Sequence, residues 1–120
     1  MLKNLLRKIY ISKALSPIIK LLGYPWRGKG IILVYHRVLP DDQMQEDLEY
    51  GLTVSTSNFE NHIKILKLKY KVCSMDEFVK NLKKNSNEFM VTITFDDGYK
   101  DNLEHALPIL EKYKIPATIY

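Results

Sequence analysis

The chain has 120 residues, enough for one domain with a modest core, and its 46% hydrophobic and 27% charged content is that of a globular protein. Its formal net charge of +4 is uneven: residues 1–30 carry seven basic side chains and no acid, while the remainder carries eleven basic and fourteen acidic ones. A single cysteine, Cys73, excludes an intrachain disulfide and a zinc–thiolate cluster, and reads as a small buried hydrophobe.

Residues 1–29 read as a basic amphipathic helical arm. Leu2, Leu5, Leu6 and Ile9 keep helical spacing, Pro17 interrupts it, and Gly23 and Pro25 end it. Basic residues break every apolar run, so neither a cleavable signal peptide nor a membrane span is expected. The coincidence of basic and apolar side chains suits an anionic membrane surface for residues 1–24, or packing on the domain or a partner. The expected location is cytoplasmic or membrane-peripheral, and a nucleic-acid partner is not expected.

From Gly30 the pattern changes. "GIILVYH" is a β-branched run bounded by glycine, which predicts a buried strand of a parallel sheet ending at Tyr35 and His36. The acid-rich stretch from Asp41 to Glu49 has no period and predicts a solvated flap. "SNFENHIKILKLKY" predicts a helix opened by a Ser57–Glu60 capping box, with Phe59, Ile63, Leu66 and Tyr70 on one face. A very short strand fits "YKVCS". A second helix follows, capped by Ser74 with Glu77, and Phe78, Val79 and Leu82 face inward.

"FMVTITF" alternates, with Val91, Ile93 and Phe95 on one face and Thr92 and Thr94 on the other, which predicts a strand. "KDNLEHALPILEKYK" predicts a helix aligned on Leu103, Leu107 and Leu110 and broken near Ala106, with Pro108 in a fresh first turn. "IPATIY" closes as another strand. Strands alternating with helices predict an α/β fold of parallel βα units.

The chemistry gathers at "TITFDDGYKDN". In parallel βα folds, ligand-binding and catalytic groups collect at the carboxyl ends of strands, where Asp96 and Asp97 fall. Adjacent side chains on a strand point to opposite faces, so the strand must stop here if both carboxylates are to reach one site; Gly98 supplies the bend. Close carboxylates repel unless a cation lies near, and a divalent metal bound by one of them leaves the other to take a proton from water. The simpler alternative is a helix start, with acids favouring the dipole and Asp101 as its cap.

The block "VTITFDDGYKDNLEHALPILEKYKIPATIY", Val91 to Tyr120, resembles the polysaccharide deacetylase family of carbohydrate esterases, supported upstream by "ILVYHRV", Ile32 to Val38. The resemblance implies a partial distorted (β/α) barrel over residues 30–120, preceded by the helical arm. It implies that Asp96 is the general base and Asp97 a metal ligand, most simply for zinc, with Tyr35, His36, Gly98 and Tyr99 lining the pocket. The activity implied is metal-dependent hydrolysis of N-acetyl or O-acetyl groups on an acetylated carbohydrate of the bacterial cell envelope. The family completes its metal site with two histidines four residues apart, and His36, His62 and His105 are not so spaced. The family's later arginine, oxyanion-hole segment and acid histidine are also not found. The sequence therefore reads as the N-terminal portion of a deacetylase domain, truncated within a strand, with little or no activity by itself. The alternatives are a non-catalytic membrane-surface or partner-binding remnant, and a magnesium-dependent phosphotransfer domain, whose aspartates are spaced differently.

Overall fold

The computed structural model describes residues 30–44, 51–84 and 86–120. The arm of residues 1–29, the anionic-surface expectation for residues 1–24, and the flap residues Glu46, Asp47 and Glu49 lie outside the described residues. No helix among the described residues is long and apolar enough to cross a membrane.

Strand β1 (Gly30–Tyr35) leads directly into β2 (Arg37–Leu39). Then come β3 (Thr53–Ser55), α1 (Thr56–Lys69), β4 (Lys71–Val72) and α2 (Met75–Lys83). Strand β5 (Met90–Phe95) is followed by a π-helical turn (Asn102–Ala106), α3 (Leu107–Tyr113) and β6 (Thr118–Ile119). Every strand pair among the described residues is parallel, as expected of βα units. Among the described residues the main sheet is open, not a closed barrel.

Strand β5 organises this sheet. One edge pairs with β1 along its full length, Gly30 opposite Met90 through Tyr35 opposite Phe95. The other edge is shared: β4 takes Met90 and Val91, and β6 takes Thr94 and Phe95. All six β5 residues are buried. The alternation seen in the sequence is therefore real but does not separate a core face from a solvent face. Val91, Ile93 and Phe95 pack with Phe59, Ile63 and Leu66 of α1 and with Ala106 and Leu110. Fully burying such an apolar side chain contributes roughly 1.5–3 kcal/mol. A smaller cluster joins Cys73, buried as expected, to Phe78 and Met90.

Several local expectations need correction. Helix α1 starts two residues early: Ser55, not Ser57, is its N-cap, accepting from the Asn58 N–H at 3.3 Å. Ser57 instead donates its hydroxyl, and its N–H at 3.1 Å, to Asp41, whose carboxylate also accepts from Thr56 Oγ1 at 2.9 Å. One end of the expected flap is thus fastened to the helix start, where a negative charge is favoured. Ser74 caps α2 as read from the sequence, but the inner face is Phe78 and Asn81, while Val79 and Leu82 are exposed. Asn81 faces inward because its Nδ2 donates to the Glu88 carbonyl at 3.0 Å, tying the helix to the approach of β5.

The last helix does not break at Ala106. Pro108 has no N–H to give to an α-helical partner, and the backbone accommodates this by widening: the Leu107 N–H reaches the Asn102 carbonyl, five residues back. Pro108 then sits in the first turn of α3, as expected. The buried face runs through Asn102, Ala106 and Leu110; Leu103 and Leu107 stay exposed. A lengthened turn moves the inward stripe off the leucine spacing that an unbroken α-helix would use.

Gly30 sets how closely β1 and α2 approach. A Cβ built there would lie 2.2 Å from Phe78 Cε2 and 2.5 Å from the Met90 carbonyl oxygen. Gly30→Ala should therefore lower stability by about 1–3 kcal/mol, the usual cost of overpacking, with the loss read as a shift in the urea midpoint.

Candidate active site

Asp96 is the first residue past β5, and it is still held by the ladder: its N–H donates to the Tyr35 carbonyl at 2.9 Å. The backbone then reverses. Asp97 has φ 68° and Gly98 φ 56°, two successive residues in the left-handed region. The bend expected at Gly98 thus begins one residue earlier, on a residue with a side chain, at a cost of about 1–2 kcal/mol. Gly98 is needed for its conformation and not for space, since a Cβ there would meet nothing nearer than the Tyr120 carbonyl oxygen at 3.9 Å. The reversal leaves the two residues in different surroundings: Asp96 is half-buried beside β1, and Asp97 is exposed.

His36 follows β1 as Asp96 follows β5. Because Tyr35 and Phe95 are opposite each other, the next residues of the two strands come side by side. His36 Nε2 lies 3.9 Å from Asp96 Oδ2, with the side chains 26% and 44% exposed. That separation is too long for a direct hydrogen bond and short enough for one small group or water between them.

Tyr35, expected to line the pocket, turns the other way, as neighbouring strand residues must. Its ring stacks on Phe95 at 5.6 Å and meets Phe59 edge-on at 5.1 Å, beneath the strand ends. Its hydroxyl meets Nδ1 of His62, an exposed residue of α1, at 3.2 Å. Burial pushes the Tyr35 hydroxyl up to about 12 and holds the His62 imidazole below its ordinary value. The Tyr35 carbonyl, by contrast, accepts the Asp96 N–H. Tyr99 is half-buried, with the Arg37 guanidinium carbon 5.0 Å above its ring. His105 sits on the π turn.

The residue that sequence reasoning undervalued is Asp101. Read from the sequence as at most a helix cap, it makes no capping hydrogen bond. It is buried instead, with Oδ1 accepting from the Val38 N–H and Oδ2 from Arg37 Nε, each at 3.0 Å. Its partners lie more than sixty residues upstream, where no local pattern points to them.

The fit of this arrangement to a metal is partial. Among the described residues no three His, Cys, Asp or Glu side chains converge as a ligand set. Asp97 offers one exposed carboxylate, and Asp96 and His36 are close to each other rather than arranged around a common point. The described residues do not by themselves make a zinc site.

Fold and site together define an α/β protein with an acidic pair at the carboxyl edge of a parallel sheet. Residues 83–120 match the family model described as polysaccharide deacetylase. The Staphylococcus aureus poly-beta-1,6-N-acetyl-D-glucosamine N-deacetylase is 37% identical over 101 residues, covering 76% of this chain and 35% of that protein. The solved Streptococcus pyogenes deacetylase PplD, in complex with acetate, superposes with a TM-score of 0.66 at 31% identity, over 76% of this chain and 41% of that one. A de-N-acetylase from Aggregatibacter actinomycetemcomitans superposes with a TM-score of 0.62 at 30% identity, over 75% and 36%. The chain is similar to polysaccharide deacetylases in these comparisons, and it spans about a third of the length of the curated relatives it matches.

Two measurements check the site's physical description. Asp97→Gly should be more stable than Asp97→Ala by about 1 kcal/mol, since both remove the carboxylate but only glycine takes φ 68° without strain; equal midpoints would mean that the turn is unstrained. The Tyr35 hydroxyl is harder to ionise folded than unfolded, so the folded state binds the extra proton between the unfolded value near 10 and the folded value of about 12. Stability should therefore fall as pH rises through that window, and Tyr35→Phe should remove that part of the alkaline loss in a pH series of thermal melts.

Proposed function

We propose that this chain carries the general-base side of a deacetylase site acting on N-acetyl or O-acetyl groups of a carbohydrate, on a fold that forms part of a distorted (β/α) barrel. The observation that carries the reading is the placement of Asp96 and Asp97 just past the central parallel strand, with His36 Nε2 3.9 Å from Asp96 Oδ2. The family-model match and the named activities of the relatives support it.

In this reading Asp96 takes the proton from a water as the water adds to the acetyl carbonyl. Collapse of the tetrahedral species breaks the bond to the sugar nitrogen or oxygen, and the departing atom needs a proton. The acid histidine implied by the family resemblance was expected later in the sequence, but His36 is already beside the base. It is a proton carrier of the right type within reach, so it is assigned the proton donor's role. Asp97 is assigned as one ligand of a divalent cation, zinc by the resemblance, which would polarise the carbonyl when bound; converging ligands are not found among the described residues. The same shortage predicts slow turnover.

The test is acetate release from an acetylated chito-oligosaccharide, with zinc added, under single-turnover conditions. Slow release is expected, lowered at least about tenfold by Asp96→Asn, since a positioned general base typically contributes 10²–10⁴-fold. Equilibrium dialysis should show weak zinc binding that Asp96→Asn leaves unchanged and Asp97→Ala lowers further. Release indifferent to Asp96, or none at all, would overturn the assignment.

A further inference from the structure

We infer that Asp101 is a positioning residue whose buried carboxylate holds His36 against Asp96; this rests on the reading of those two residues as proton carriers. His36 lies between two ties to one downstream segment. On its N-terminal side the Tyr35 carbonyl accepts the Asp96 N–H at 2.9 Å. On its C-terminal side the Asp101 carboxylate accepts from Arg37 Nε and from the Val38 N–H, both at 3.0 Å. The two ties bracket His36 to within two residues, and they meet the other segment at Asp96 and at Asp101. A backbone fixed at both ends of so short a span has little freedom left to carry the imidazole away from the carboxylate.

The carboxylate suits this task in kind as well as in place. Asp101 is 7% exposed and Val38 is fully buried, so removing the acceptor leaves a buried N–H without its partner. Asparagine is the sharper change. It has nearly the same shape and keeps one acceptor oxygen, but it presents an NH₂ where the carboxylate offered a second oxygen. It cannot accept from Val38 and Arg37 with two separate oxygens. Arg37 also lies over the Tyr99 ring at 5.0 Å, so the same carboxylate steadies the tyrosine two residues before it.

Two readouts on the full chain test this, and they fail separately. The first needs no activity. In wild type, an NMR cross-peak between the His36 ring protons and the Asp96 β-protons is expected; it should vanish in Asp101→Asn while the amide shifts of Met90–Phe95 stay in place. A retained cross-peak overturns the inference. The second is a double-mutant cycle on acetate release. Asp101→Asn should lower kcat about tenfold with KM changed less than twofold, and in a His36→Gln background the same substitution should cost less than twofold. Equal losses in both backgrounds would mean that Asp101 acts on stability alone. If wild type releases no acetate, the proposed activity fails and the cross-peak still decides the positioning. Should Asp101→Asn not fold, Asp101→Glu keeps charge and acceptors while displacing them by one methylene, and the same loss of the cross-peak is expected.

Discussion

The parallel register between β1 and β5 is the constraint on which the rest of the molecule depends. Tyr35 stands opposite Phe95, so two strands sixty residues apart in sequence finish on the same rung. Whatever follows each strand must then share one small volume. That register is what first brings His36 and Asp96 together. A slip of one residue in either strand would turn that strand's residue to the opposite face and separate the pair, because strand side chains alternate. The burial of every β5 side chain makes such a slip expensive, since it would exchange Val91, Ile93 and Phe95 for Thr92 and Thr94 against α1.

Beneath that rung the rings of Tyr35, Phe59 and Phe95 pack mutually at 5.1–5.8 Å. They form a stiff floor, and above it the chain is bent hard at Asp97 and Gly98. Strain of this kind persists only where surrounding structure holds it. Here the holding groups are a backbone hydrogen bond on one side of the bend, at Asp96, and the Asp101 carboxylate on the other.

Much of this was legible in the sequence, and what was missed has common causes. The β-branched runs gave β1 and β5, and the polar cap at Ser74 gave α2, because these signals are local; β1, expected to be buried, instead leaves Ile31, Ile32 and Val34 exposed. The adjacent aspartates and following glycine placed the turn within one residue. The start of α1 was misplaced because Ser55 and Ser57 are both competent caps, and Asp41, a residue of an aperiodic stretch, claims one of them. The short pair β2 and β3 went unseen, since three residues each is too little to show a period. Tyr35 and His36 could not be assigned to opposite sides until the end of β1 was fixed. Asp101 was unreadable for a different reason: its meaning lies in Arg37 and Val38, and sequence reasoning has no purchase on a pairing at that separation.

The divided edge of β5 has a consequence for where the sheet can open. Two short strands, β4 and β6, share that edge, each holding only two rungs at opposite ends. Neither is bonded to the other, so unzipping β6 leaves the foot of the sheet intact. Opening would release the Phe95 carbonyl, which accepts the Tyr120 N–H at 2.9 Å, one residue before Asp96. Local opening of this kind follows the least-bonded units and not the molecule as a whole. Each end of that edge can therefore open without the other, while the β1 edge, bonded along all six residues, keeps His36 and Asp96 in step.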